Sequence, residues 1–171
     1  INVRDVTLKS LHQNIGFVQQ DVFLFSASIR DNIAYGKENA SMEDVIEAAK
    51  IAQLHNQIEN LEDGYETILG ERGSNLSGGQ RQRLSLARAI LLDPPILVLS
   101  YSTSSVDAQT EELIRIALEE VRCNRTTFII ANRISSVHMA DQILVMKNGE
   151  IAERGTHSHL VETSPIYREI Y

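Results

Sequence analysis

One short stretch limits the fold more than any other part of the sequence, Leu76-Ser77-Gly78-Gly79-Gln80, which runs directly into a helical pattern. Ser77 is a good helix N-cap, because its hydroxyl accepts a hydrogen bond from a free N–H group of the first turn. The two glycines have no Cβ, so another molecule can approach their backbone closely. Free N–H groups and the positive end of the helix dipole favour an anion such as phosphate. The sequence therefore predicts a loop that becomes a helix, and the tip at the start of this helix is either an anion site, for phosphate above all, or a structural cap.

The pattern after this tip predicts a helix with one buried face. Leu84, Ala87 and Leu91 recur at helical spacing. The residues that interrupt the apolar face are expected to meet carboxylates or solvent: Arg81, Arg83 and Arg88.

Composition excludes several classes of protein. The formal net charge of −7 argues against nucleic acid as a partner, since phosphate backbones need a basic surface. No apolar run approaches the roughly 18 residues of a membrane span, so a link to a membrane is expected to come through a partner or a missing segment. The single cysteine, Cys123, gives no disulfide framework. His157 and His159 are two residues apart, which is not a spacing that shares a helix face, so no metal site is predicted.

Local signals elsewhere predict further elements. Thr7 is a candidate cap for a short helix, and Ser41 begins a capping box. Asn148-Gly149 lies between two apolar runs and predicts a β-hairpin.

The string LSGGQRQR at 76–83, followed by LARAIL at 86–91 and LLDPPILVL at 91–99, resembles the signature region of ATP-binding cassette (ABC) ATPases. The resemblance implies an α/β fold, a P-loop NTPase (ABC ATPase) core with a mostly parallel sheet plus an α-helical signature subdomain, lacking the P-loop segment. It implies a partial nucleotide-binding domain over 1–171, with residues 1–25 and 93–171 in the α/β core and 26–92 in the helical subdomain.

The segment before this subdomain resembles the family's Q-loop. A predicted buried strand at 15–18 leads to Gln20, an aromatic loop and a helix. The resemblance implies that Gln20 reaches the magnesium ion and the attacking water, at a hinge where transmembrane coupling helices dock. The GERG sequence at 70–73 resembles the x-loop of ABC exporters, although a solvated turn of mixed charge is the other interpretation.

The apolar run at 95–99 predicts a buried parallel strand, at the place of the family's Walker B strand. That strand ends in an aspartate and a glutamate in the family, but here Ser100 and Tyr101 follow it. A serine is a weak neutral ligand for a hard cation, and a tyrosine is a poor general base at pH 7. This departure puts hydrolysis by the chain's own site in doubt.

Two further positions complete the comparison with the family. Asp107 matches the D-loop aspartate, which implies a place at the interface of a domain pair. Asn132 follows a predicted buried strand at 126–130 and stands where the family has a histidine. An asparagine can donate a hydrogen bond but cannot titrate near neutral pH.

No GxxxxGK[ST] sequence occurs in the chain, although the family places this P-loop upstream of the Q-loop. We expect a truncated chain or a fragment. Loss of a central strand and its helix is expected to expose apolar surface, so that another chain would be needed for stability.

These features predict the ATP-binding domain of an ABC exporter, with ATP and Mg²⁺ as ligands and its own site hydrolytically impaired. The resemblance implies that Ser77, Gly78 and Gly79 contact ATP held by a second nucleotide-binding domain, identical or different, with Gln80 and Asp107 nearby. The exporter's transmembrane domains would hold the chain peripherally at the cytoplasmic face of the membrane. Two alternatives stay open: a non-catalytic regulatory or interaction module, and an ordinary ABC ATPase whose recorded sequence is altered at 100–102 and 132.

Overall fold

A computed structural model describes residues 2–100, 112, 113, 115–117, 119 and 125–170. The predictions for Tyr101, Asp107 and Cys123 lie outside the described residues. The helices are α1 (Leu8–Asn14), α2 (Ile29–Ala34), α3 (Met42–Ile51), α4 (His55–Glu59), α5 (Gly78–Leu92), α6 (His157–Thr163) and α7 (Pro165–Ile170). The strands are β1 (Ile15–Val18), β2 (Ile96–Ser100), β3 (Thr126–Ile130), β4 (Ile143–Lys147) and β5 (Glu150–Gly155). Short 3-10 turns occupy Val3–Asp5, Gly64–Glu66, Glu71–Gly73 and Ile134–Ser136, and the described residues from 112 to 119 are helical.

A three-stranded sheet has the spatial order β1-β2-β3, with β1 and β2 parallel. Ile15 lies opposite Ile96, and Val18 lies opposite Leu99. Parallel neighbours need a long crossover connection, which the chain between them provides with helices α2 to α5. The parallel pair with intervening helices confirms the predicted α/β class.

Helix α5 lies in an apolar core that it shares with α2, α3 and α4. The predicted inner face of α5 is confirmed, because Leu84, Ala87 and Leu91 are all buried. Their buried partners come from the other three helices and from neighbouring loops: Leu24, Ile29, Ile33, Val45, Ala48, Ala49, Ala52, Leu54, Ile58, Tyr65 and Leu69. The removal of these side chains from water is the main force that holds α5 in place.

Hydroxyl side chains cap the helices where the sequence predicts them. The Thr7 hydroxyl accepts a hydrogen bond from the backbone N–H of Ser10 at 3.2 Å, at the start of α1. At α3, Ser41 and Asp44 exchange two such bonds, each of 3.1 Å, so the predicted capping box is confirmed. Each bond satisfies one N–H group that has no partner inside the helix.

The arginines of α5 differ from the prediction. Arg83 is only 2% exposed, and its guanidinium donates to the Gln53 carbonyl at 2.6 Å and to Gln57 Oε1 at 2.9 Å. Arg88 donates to backbone carbonyls and an asparagine side chain, and among the described residues no carboxylate pairs with it. The expectation of solvent is wrong for Arg83, whereas Arg88 is half-buried and its acceptors are neutral oxygens. Periodicity could not show this, because the acceptors are distant in sequence.

Strand β3 is less buried than its apolar sequence predicts. Phe128 is 53% exposed and Ile130 is 57% exposed. An apolar run indicates a strand that can be buried, but its exposure depends on which elements pack against each face. The strand itself is confirmed at Thr126–Ile130, whereas its complete burial is wrong.

The chain divides into two compact units, residues 1–128 and 129–171. The second unit contains the predicted hairpin of β4 and β5, which are antiparallel. Asn148 and Gly149 both have positive φ angles, 54° and 81°, as the type I′ turn of a tight hairpin requires. Residues from β4, α6, α7 and a 3-10 turn form its core: Ile134, Ile143, Val145, Leu160 and Tyr167.

The predicted division into an α/β core and a helical subdomain at 26–92 was based on sequence motifs, whereas the two units above are defined by compactness. The predicted division therefore stays a prediction. Within the described parts of the chain, every helix is too short or too polar to cross a bilayer.

Gly16 generates a prediction about packing under the sheet. A Cβ atom at this position would lie 2.7 Å from Pro94 Cγ and 3.2 Å from Leu97 Cδ1. We expect Gly16→Ala to lower the free energy of unfolding by about 1–3 kcal/mol, because the proline ring cannot rotate away. Urea denaturation followed by circular dichroism measures this change.

Gly36→Ala is the matched control for that experiment. A Cβ atom at Gly36 would meet only Leu92, at 3.5 Å or more, which is ordinary contact. We expect its unfolding free energy to stay within about 0.5 kcal/mol of the parent value. Equal shifts in both variants would contradict the overpacking explanation.

Candidate functional site

The tip of α5 is held by a capping box. Ser77 Oγ accepts from the backbone N–H of Gln80 at 3.2 Å, and Gln80 Oε1 accepts from the backbone N–H of Ser77 at 2.7 Å. The serine cap is therefore confirmed. The role of Gln80 as the second half of the box is a feature that our sequence analysis missed, although serine followed three residues later by glutamine is its known signal.

The box leaves two backbone groups of the first turn available. Within the described residues, no group accepts a hydrogen bond from the N–H of Gly78 or of Gly79. Ser77 and Gly78 are exposed, whereas Gly79 is buried. Free N–H groups at the positive end of a 15-residue helix form an arrangement that fits a phosphate oxygen.

The loop before the tip is fixed to it by Asn75. The backbone N–H of Gly70 donates to Asn75 Oδ1, and Asn75 Nδ2 donates to the Ile68 carbonyl, both at 3.2 Å. Gly73 has a φ of 69°, and a Cβ atom there would lie 2.7 Å from Leu24 Cδ1. Glu71 and Arg72 are exposed. The turn at 70–73 thus has a defined shape and presents its charges outward.

The carboxyl ends of β1 and β2 meet at one edge of the sheet. Val18 and Leu99 are partners, so Ser100 lies one residue beyond that pair and Gln20 two residues beyond it. Gln20 is exposed, and Ser100 is half-buried at the end of its strand. Ligands in open α/β sheets bind at this edge. The structure thus places the end of β1, which leads to Gln20, beside the end of β2 at Ser100.

Hydrogen bonds from Arg88 to Asn32 and Phe23 connect α5 to the segment that follows Gln20. Arg88 Nε donates to the Asn32 carbonyl at 2.9 Å, Nη2 to Asn32 Oδ1 at 2.9 Å, and Nη1 to the Phe23 carbonyl at 3.1 Å. Buried Asn32 also accepts from the backbone N–H of Phe25 and donates to its carbonyl. Burial lowers the pKa of the Arg88 guanidinium, because desolvation disfavours its charged form.

Three aromatic rings lie beside the Arg88 and Asn32 side chains. The rings of Phe23 and Phe25 meet edge to face with centroids 5.2 Å apart, and those of Phe25 and Tyr35 lie 4.3 Å apart. Phe23 is 55% exposed and Tyr35 is 65% exposed. We call Phe23, Phe25 and Tyr35 the aromatic surface. Two exposed rings supported by a third form an apolar patch that can contact another protein.

The remaining predicted site residue, Asn132, belongs to the second compact unit. It is exposed and lies two residues beyond the end of β3. Neither it nor Ser100 carries a charge that would attract a divalent cation. The residues at the tip of α5 therefore fit a phosphate, whereas the neutral Ser100 position does not fit Mg²⁺, which prefers charged oxygen ligands.

Comparisons with known proteins agree with this geometry. A family model described as ABC transporter matches residues 1–103. The chain is 60% identical over 169 residues to YknU of Bacillus subtilis (strain 168), named an uncharacterized ABC transporter ATP-binding protein. It is 46% identical over 171 residues to an ATP-dependent lipid A-core flippase of Chromobacterium violaceum. These matches cover 99% and 100% of this chain but only 29% of each relative.

A solved structure gives the same result for the fold. The chain matches a bacterial Atm1-family ABC exporter with ATP bound, with a TM-score of 0.93 and 42% identity over 98% of this chain and 30% of that one. The chain thus spans a little under a third of the length of these proteins. The chain belongs to the ABC transporter family, within the ATP-binding domain of its exporters.

Proposed function

We propose that this chain is part of an exporter that couples ATP binding and hydrolysis to transport. In this proposal, the start of α5, its signature tip, contacts ATP that is bound by a second nucleotide-binding domain. The observation that carries this proposal is the start of α5, where the N–H groups of Gly78 and Gly79 have no acceptor in the described structure and where Ser77 and Gly78 are exposed while Gly79 is buried. An uncompensated pair of donors at a helix N-terminus suits the γ-phosphate of a nucleotide.

The capping box prepares this tip for its role. Ser77 and Gln80 satisfy each other's backbone, so the first turn keeps its shape without a ligand. Donors that are already oriented need no reorganisation when charge develops on the phosphate. The N–H groups of the two glycines then donate to phosphate oxygens, while Asp107 is proposed to lie nearby at the domain interface.

The chain's own site is proposed to be impaired in hydrolysis. Ser100 ends β2 at the edge of the sheet where the family holds magnesium through an aspartate. Tyr101 and Asn132 replace a glutamate and a histidine. Without a carboxylate beside the attacking water, this chain lacks the usual general base. The two domains are then unequal, which is the arrangement of heterodimeric exporters.

The transmembrane domains are the second proposed partner, and they would hold this chain at the cytoplasmic face of the membrane. The aromatic surface follows Gln20 directly, where the family docks its coupling helices. Its exposed rings, Phe23 and Tyr35, offer apolar area for such a helix. One similar protein is named a lipid A-core flippase and another an ABC exporter, and both names agree with this placement.

A test of the trans role places a charge on the tip. We expect Gly78→Asp to lower the ATPase rate of the assembled exporter by about a hundredfold or more, because a carboxylate would repel the phosphate that the N–H groups bind. The rate is measured at saturating ATP on the purified exporter.

Asn39→Asp is the matched control for this experiment. It adds the same charge on an exposed turn with a φ of 62°, a conformation that aspartate tolerates. We expect its ATPase rate to equal that of the parent. An unchanged rate in Gly78→Asp would show that the tip does not serve a partner's site.

A second test restores the missing carboxylates. In the Gly78→Asp background, which silences the partner's site, we expect Ser100→Asp with Tyr101→Glu to raise the ATPase rate about a hundredfold. This is the low end of what a positioned general base contributes. Single-turnover hydrolysis of radiolabelled ATP measures the rate.

The control for the second test is Ser100→Asn with Tyr101→Gln, which matches the size of the new side chains without their charge. It should leave the low rate unchanged. If the carboxylate pair also fails while ATP still binds, the loss of activity has another cause than residues 100 and 101. If labelled ATP binds neither the chain nor its pair with a competent domain, the non-catalytic module is the better description.

A further inference from the structure

Arg88 joins two segments of the first unit, helix α5 and the residues that follow Gln20. Its guanidinium donates to the carbonyls of Phe23 and Asn32 and to Asn32 Oδ1, as described above. Its Cζ also lies 5.4 Å from the ring centroid of Phe25 and 5.6 Å from that of Tyr35. One side chain thus contacts all three members of the aromatic surface and the residue that organises their loop.

The acceptors of Arg88 are neutral oxygens, so they fix the orientation of its guanidinium but do not neutralise its charge. No carboxylate of the described chain pairs with it, and its three hydrogen bonds leave in different directions from one planar group. A planar guanidinium can do this while it stacks on rings, whereas the ammonium of lysine cannot. An apolar side chain would often stabilise a buried position as well as a charged one does. The choice of arginine therefore fixes the position of residues 23–35 relative to α5.

The same helix carries the signature tip at its other end. Arg88 is eleven residues after Ser77, which corresponds to about 16 Å along a continuous helix. Nine of the fifteen residues of α5 are buried, so the helix moves as a unit with its surroundings. A displacement at either end is then transmitted to the other.

We infer that Arg88 is a positioning residue that couples the aromatic surface to the signature tip, so that nucleotide bound at Gly78 and Gly79 alters the surface on which the transmembrane domains dock. The inference rests on the proposed function of the tip. It adds a residue that touches neither nucleotide nor partner but fixes one site relative to the other.

The test uses Arg88→Lys in the full exporter, with Arg125→Lys as the matched control. Arg125 is also a partly buried arginine of the first unit, but its guanidinium donates to Asp93 Oδ1 at 2.7 Å and to the Pro94 carbonyl at 3.4 Å, and not to the tip or the aromatic surface. Hydrogen–deuterium exchange of the backbone amides at 23–35 is measured with and without Mg-ATP and vanadate. The parent and Arg125→Lys should show a nucleotide-dependent change in this exchange, and Arg88→Lys should lose it.

Steady-state kinetics and thermal unfolding complete the experiment. We expect Arg88→Lys to lower kcat for ATP about tenfold with an unchanged KM, because a displaced tip still binds nucleotide but orients it poorly. Loss of kcat in proportion to loss of Tm in both variants would indicate a purely structural role and overturn the inference. A nucleotide-dependent change that persists in Arg88→Lys, or that the parent lacks while ATP is bound, would also overturn it.

These outcomes separate the inference from the proposed function. If Gly78→Asp abolishes hydrolysis while Arg88→Lys behaves like the parent, the tip serves a partner but Arg88 does not couple it to the aromatic surface. If Gly78→Asp has no effect, the proposed function itself has failed.

Discussion

A guanidinium group that leaves water must find acceptors for its N–H groups before the helix that carries it can pack, and helix α5 meets this requirement twice. Arg83 reaches the Gln53 carbonyl and the Gln57 side chain, and Arg88 reaches Phe23 and Asn32. Unpaired, either group would cost several kcal/mol. The loops that provide these acceptors therefore have to adopt one arrangement around α5, and the apolar core closes over it.

This arrangement separates the fixed part of α5 from its tip. The helix is anchored by its apolar face and its arginines, while Ser77 and Gln80 close the first turn on themselves. Within the described chain, the N–H groups of Gly78 and Gly79 have no acceptor, and Gly78 is exposed whereas Gly79 is buried. The free donor at exposed Gly78 costs little, because water can bond to it. A stable helix and an available anion site are thus compatible in one element.

The same reasoning explains how a chain could keep one half of a nucleotide site and lose the other. Phosphate recognition at the tip depends on backbone N–H groups, which most substitutions leave in place. Hydrolysis depends on carboxylates at particular positions, and a single substitution such as that at Ser100 removes one. We therefore regard the trans role and the impaired local site as consistent parts of one proposal.

The sequence by itself determined the helix starts, the parallel strands and the hairpin, because caps, apolar runs and Asn148-Gly149 act over a few residues. It also placed Gln20 after one strand and Ser100 at the end of another, but only the structure showed that these two strands are neighbours. Only the tertiary structure decided the partners of Arg88, because Phe23 lies 65 residues away and carries no signal at that spacing. The exposure of Phe128 was likewise decided by what packs on β3, a property of the whole fold rather than of its own sequence.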